Sequence, residues 1–334
     1  MAPCITWMAA FTVGAALYGP CGPAAAQTFK DPALEALFTA DRGDELQRLA
    51  AQRVAAQPDD AQAVLGLAMA SLQRDDAAAR REAIDRAEAC VRRQPRTAPC
   101  QYALGVVLGI QAMSEGLFKA ARSAGTVRDA LVAAQALEPL WWPARQALVE
   151  FYLMAPGMMG GSPGKAAELA RNAPQAEQAR AIEGRLALHD RNFDAALQGF
   201  MALPAVLEPA LAADVRAWGT QAALGLVNAG QAGQARPWFE RLLRTAPRDS
   251  AGPYGMARVR GAAGEHAEAV KLYQQAAELK GAANWPISYR LGVSLQQLGR
   301  HDEARAAYRR FLATGRGQEA TLADARKRLE QLGG

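Results

Sequence analysis

Aromatic residues are scarce in this chain, 7% of 334 residues, and no stretch alternates Val, Ile or Thr with polar residues as a half-buried strand does. A sheet-built fold is therefore not expected. Histidine is thinner still: His189, His266 and His301 are the only three, and none stands beside a cysteine pair with zinc-site spacing. No metal or cofactor is expected. H-E-x-x-H does not occur, and the G-x-S-x-G match GGSPG at Gly160–Gly164 follows the helical run EFYLM rather than a strand, so neither the zinc-protease signature nor the strand–turn–helix setting of the serine-hydrolase elbow is present. The longest apolar run, Ile5 to Tyr18, is also short of the roughly 20 residues that cross a bilayer.

That run belongs to MAPCITWMAAFTVGAALYGPCGPAAAQTF, where Gly and Pro break the apolar core and Ala24-Ala25-Ala26 precedes Gln27. The pattern predicts a secretory signal at residues 1–26, cleaved after Ala26, and a periplasmic or secreted protein without a membrane span. No Lys or Arg opens the segment. A lipid-anchored form would acylate Cys21, where Pro20 replaces the small residue wanted before it. Cleavage removes Cys4 and Cys21 and leaves Cys90 and Cys100. In an oxidising compartment these two either bridge across RRQPRTAP or sit as small buried apolar residues.

What the chain does have is Ala, Leu, Arg, Gln and Glu in quantity, all residues that lose little side-chain entropy in a helix. Its net charge of +5 is scattered, both signs interleaving at helical spacing. This describes solvated helix faces rather than a nucleic-acid footprint.

Self-similarity is the strongest signal. GQAGQARPWFERLLRTAP from Gly230, GEHAEAVKLYQQAAEL from Gly264 and GRHDEARAAYRRFL from Gly299 align in three columns. Gly230, Gly264 and Gly299 form one; Ala235, Ala269 and Ala304 the second; Phe239, Tyr273 and Tyr308 the third, each stepping by 34 and then 35 residues. An earlier copy places Ala196 and Phe200 each 39 residues before Ala235 and Phe239. Glycine permits a tight turn, alanine lets a neighbouring helix approach, and the aromatic fills the gap beside it. Each unit is thus a helical hairpin that must stack on its neighbours to bury its apolar side.

Leu291, Gly292, Leu295, Gly299, Ala304 and Tyr308 resemble the tetratricopeptide repeat family. That resemblance implies an all-α, right-handed superhelix of stacked antiparallel hairpins. Upstream the match loosens. Leu65-Gly66 with Ala83, Ala87 and Pro95 reads as a unit with a lengthened first helix, and Leu104-Gly105 opens another with an enlarged connection, SEGLFKAARSAGTVRDAL. The expected organisation is an N-terminal capping hairpin at 27–58, divergent repeats at 59–176, regular repeats at 177–318 and a capping helix at 319–334. Residues 99–172 are similar to a group of uncharacterised exported bacterial tetratricopeptide proteins.

One stretch invites a different chemistry. In FYLMAPGMMGGSPGKAAELA, Gly164-Lys165 has Met159 where a phosphate loop needs its first glycine and Ala166 where it needs a hydroxyl. It reads instead as an elbow between two helices, with Met158 and Met159 at a tip that a partner could bury. Trp141-Trp142-Pro143 reads as a plug between hairpins rather than a stacking platform for sugars or bases. Ser114-Glu115-Gly116 is similar to the acidic motif of lytic transglycosylases, but no lysozyme-like surroundings accompany it. His266 and His301 share a column and read as surface turn residues.

The remaining candidate site is the groove. In the family, the exposed face of each first helix lines it, which here selects Arg185, His189, Thr220, Asn228, Tyr254, Arg258, Tyr289, Val293, Gln296 and Gln297. Tyrosine and arginine are frequent binding anchors, so Tyr254, Tyr289 and Arg258 are expected to lead. The implied function is a non-enzymatic scaffold that holds a protein or peptide segment. Two alternatives from other classes are an RNA-binding helical repeat and an envelope enzyme or enzyme accessory acting near peptidoglycan.

Overall fold

The computed structural model describes residues 27–74 and 76–333; the expected signal segment, with Cys4 and Cys21, lies outside them. The described residues form α-helices joined by turns, with no strand beyond one isolated bridge between Asp249 and Lys280. The all-α expectation holds.

The helices divide into two compact units. The N-terminal unit runs to Asp190 and also claims Val206–Val215. It contains α1 (Pro32–Thr39), α2 (Gly43–Ala56), α3 (Ala61–Gln73), α4 (Ala77–Arg93), α5 (Ala98–Ser114), α6 (Leu117–Leu137), α7 (Trp142–Met154), α8 (Pro163–Arg171) and α9 (Ala176–His189). The C-terminal unit comprises Arg191–Ala205 and everything from Arg216 onward. It holds α10 (Phe193–Met201), most of α11 (Pro209–Asn228), α12 (Ala232–Thr245), α13 (Ala251–Ala262), α14 (His266–Ala277), α15 (Ile287–Gln297), α16 (His301–Ala313) and α17 (Glu319–Gln331).

Local chemistry starts many of these helices. Asp31, Asp60 and Asp76 accept backbone N–H bonds at the starts of α1, α3 and α4, each satisfying donors the helix leaves open. The glycine column turns as expected: Gly230, Gly264 and Gly299 have φ of 78°, 79° and 72°, a left-handed conformation that costs glycine little. In the alanine and aromatic columns, Ala235, Ala269, Ala304, Phe239 and Tyr308 are fully buried and Tyr273 is 2% exposed. They set how closely helices meet. A Cβ on Gly255 would stand 1.9 Å from the Phe239 ring, and one on Gly292 2.7 Å from Tyr308.

Two readings of length change. The extra residues of the Leu65 unit lie in its second helix, α4 with 17 residues against 13 in α3. The expected enlarged connection is itself a continuous helix, the 21-residue α6. Only Glu115 and Gly116 turn there; Ala124, Val127, Ala130, Leu131 and Ala134, at helical spacing, are buried along α6 and hold it helical through Gly125 and Thr126.

The open trough expected along the first helices is absent from α3, α5 and α7 of the N-terminal unit. Ala63–Ser71 of α3, Ala98–Val107 of α5 and Trp142–Leu153 of α7 are buried without interruption. A first helix lining an open groove would show an exposed stripe every third or fourth residue. Two segments from elsewhere in the chain dock here. The Trp141 indole N–H donates to the Gln27 carbonyl at 2.8 Å, and the Trp142 indole N–H to Asp214 Oδ2 at 2.7 Å. Leu211 and Val215 are 2% and 3% exposed on the same stretch as Asp214. Trp141 also meets Tyr102 edge-on, ring centres 4.8 Å apart. The Trp pair is a plug, as read, and has no free face for a sugar.

The elbow is likewise an elbow. Residues 155–162 join α7 to α8 through a one-turn 3-10 helix, Gly157–Met159. Gly161 is obligatory there, since a Cβ would lie 1.7 Å from the Ala155 carbonyl oxygen. Lys165 rests 5.7 Å from the centre of the Tyr152 ring, a cation–π contact rather than a phosphate cradle.

Candidate functional site

A cleft of about 330 Å³ opens in the C-terminal unit among the end of α11, α13, α14 and α15. The repeat brings its residues together. Val227 and Asn228 end α11, Arg258, Gly261 and Ala262 share one side of α13, and Arg290, Val293 and Ser294 do so on α15, at the i, i+3 and i+4 spacing that aligns side chains on a helix. His266 and Tyr273 come from α14.

The cleft is cationic. Arg258, Arg290 and His266 line it and no carboxylate does. Arg258 Nη2 donates to Asn228 Oδ1 at 2.6 Å, and the Arg290 guanidinium lies 5.2 Å from the centre of the Tyr289 ring. Both guanidiniums are thereby held in place. Two buried polar atoms of the residues lining the cleft have no hydrogen-bond partner among the described residues: Arg290 Nε and His266 Nδ1. Burial pushes the Tyr273 hydroxyl well above the ordinary tyrosine range, with Tyr254 adding to the rise and Arg258 and Arg290 opposing it. Tyr273 is therefore a neutral hydroxyl beside two cations.

Of the ten residues expected to line a groove, Asn228, Arg258 and Val293 line this cleft. Tyr254, Tyr289, Gln296, Thr220 and Arg185 correct the expectation. Tyr254, 2% exposed, stacks on Trp285 with ring centres 4.9 Å apart and planes at 17°. Tyr289, 8% exposed, donates its hydroxyl to Asp324 Oδ2 of α17 at 2.7 Å. Neither is free to anchor a partner, because the next connection or the terminal helix already covers it. Gln296 accepts from Tyr308 Oη at 2.9 Å and from Arg328 Nη1 at 3.2 Å. Thr220 is buried and accepts the Trp238 indole N–H at 3.2 Å. Arg185 is buried against Glu150. His189 is half-buried in the last turn of α9, and Gln297 is exposed.

The sequence reading missed His266, Tyr273, Arg290 and Ser294. His301 is exposed as expected, whereas its column partner His266 is half-buried. The elbow tip fits its description: Met158 is 92% exposed, Met159 partly covered. Cys90 and Cys100 are joined by a disulfide between α4 and α5, their Cα atoms 5.6 Å apart.

A model of the tetratricopeptide repeat family matches residues 286–313, which are α15 and α16. No curated protein matches the chain. Among solved structures, a tetratricopeptide repeat protein from Parabacteroides merdae is similar at 15% identity, covering 82% of this chain and 99% of its own, with a TM-score of 0.49. A chain of the APC/C hetero-tetramer Cut9-Hcn1 is similar at 14% identity over 78% of this chain, with a TM-score of 0.47. This chain spans about half of that one, 48%.

Proposed function

We propose that the chain, whose residues 286–313 match the tetratricopeptide repeat family, is a non-enzymatic scaffold of the cell envelope, which captures a protein segment at the cleft between α11, α13, α14 and α15. The observation that carries this reading is the contrast within its first helices. In the N-terminal unit α3, α5 and α7 each have a long stretch buried without interruption, while Asn228, Arg258 and Val293 in the C-terminal unit reach a cleft. The guanidiniums of Arg258 and Arg290 line that cleft, so a partner group that accepts their charged hydrogen bonds would gain affinity there. Export is supported by the signal pattern of residues 1–26 and agrees with a bridged cysteine pair, since disulfides persist in oxidising compartments. Met158 and Met159 offer a second, smaller contact on the elbow.

Site-specific photo-crosslinking in cells tests the scaffold. A photoreactive residue at Val293 is expected to yield a discrete protein adduct, and one at the exposed Gln274 on α14 is expected to yield none. Equal labelling at both positions, or none at Val293, refutes capture at the cleft. Export is checked by sequencing the N-terminus of the protein from an envelope fraction, which should begin at Gln27; an intact Met1 overturns it.

A further inference from the structure

Among the described residues no carboxylate lines the cleft beside its two guanidiniums. Glu265 is engaged with Arg260 at 2.5 Å, and Asp324 with Tyr289 and Arg328. A partly buried guanidinium presents a fork of N–H donors and no acceptor, so its natural complement is an oxyanion. Arg290 Nε and His266 Nδ1 are themselves buried and have no hydrogen-bond partner among the described residues.

Size and wall chemistry narrow the anion. At about 330 Å³ the cleft is at the small end of ligand pockets, sufficient for a side chain and too small for a helix. Val227, Val293 and Ala262 line it beside the cations, offering an apolar rim around a charged floor. A chain terminus carries its carboxylate directly on the backbone and would press polar main-chain groups against those valines. A glutamate side chain brings two methylenes instead.

Resting on the reading of this cleft as a partner surface, we infer that it is a receptor for an acidic side chain, a glutamate within an extended segment of the partner, whose carboxylate is gripped by Arg258 and Arg290. The grip is preorganised. Asn228 fixes one guanidinium and the Tyr289 ring the other, so little side-chain freedom is lost on binding. Charged forks of this kind form hydrogen bonds about twice as strong as neutral ones.

The probe is a fluorescently labelled peptide of alternating Ala and Glu, acetylated and amidated so that it has no free ends, titrated into residues 27–334. Saturable binding is expected, weakened about tenfold or more by Arg290→Gln and by Arg258→Gln, and lost when the peptide's Glu residues are changed to Gln. Circular dichroism melting of each variant keeps loss of binding separate from loss of fold; a variant that melts early is replaced by Arg290→Lys, which keeps the charge without the fork and is still expected to bind more weakly. The inference is overturned if the capped peptide does not bind, if its Gln counterpart binds equally, or if the arginine variants bind normally. It is also overturned if inorganic phosphate or an uncapped Ala peptide competes better than the capped one. Crosslinks at Val293 that persist in an Arg258→Gln, Arg290→Gln double variant would leave the scaffold standing and remove only the carboxylate, whereas absence of crosslinks in the wild type would refute the scaffold itself.

Discussion

Arg185 holds Glu150 from both ends of its guanidinium, Nε to Oε1 and Nη2 to Oε2 each at 2.7 Å. The pair joins α9 to α7, and the two side chains are only 11% and 8% exposed. Removing one partner leaves the other charged and out of water. Arg185→Ala is expected to cost about 3–5 kcal/mol in urea denaturation, with a similar loss for Glu150→Ala, because an orphaned buried charge is penalised far more than the intact pair is favoured. A double replacement by apolar residues should cost less than either single change.

Tyr254 makes the converse point. Its ring is sandwiched with Trp285 and lies 5.9 Å from that of Tyr273, so it belongs to the core. Tyr254→Ala is expected to destabilise the protein by about 3–5 kcal/mol, the range for deleting a buried aromatic, with the melting temperature falling accordingly. A variant that melts like the wild type and merely loses a partner would restore Tyr254 to the binding surface.

Glu208 sets a pH dependence. Its carboxylate accepts the Ala210 and Leu211 N–H groups at 2.9 and 3.0 Å, yet burial, aided by the nearby Glu35, raises its pKa from 4.5 to about 7. Burial raises the Glu35 carboxyl as well. The folded state thus keeps a proton that the unfolded chain gives up. The resulting stability is complete below the unfolded value and is lost as pH rises through the folded one. Thermal midpoints should fall between about pH 5 and about pH 8 in the wild type and fall less in Glu208→Gln. An identical slope in both would exclude Glu208 as the source.

The Cys90–Cys100 bridge closes a short loop between α4 and α5. Replacing both cysteines by serine is expected to lower stability by about 3 kcal/mol, the scale for a loop of this kind. The check is chemical denaturation of the variant beside the oxidised and reduced wild type. The reduced protein should unfold where the variant does.

The columns of Gly230, Ala235 and Phe239 announce the hairpins because turn, approach and filling each require a particular residue size at a fixed step. That requirement is local and repeats. Which face of a first helix meets solvent is settled elsewhere: Trp285 arrives from a connection to cover Tyr254, and α17 returns Asp324 to Tyr289. No helical period encodes such arrivals. His266 and His301 share one column yet differ in burial, because the repeat copies a residue's position and not its neighbours. Arg290 escaped notice for the same reason, standing beside a tyrosine that was expected to do the binding.

The docking of Asp214 on Trp142 bears on how the molecule can be cut. A truncation after Asp190, the boundary that the run of helices suggests, would leave behind the ten residues Val206–Val215 that cluster with the upstream unit. It would uncouple the Trp142 indole from its acceptor and wet the surface that Leu211 and Val215 cover. Extending the fragment through Val215 retains them but takes α10 from the downstream unit and cuts α11 in its middle, so no single break in the chain separates the two units intact.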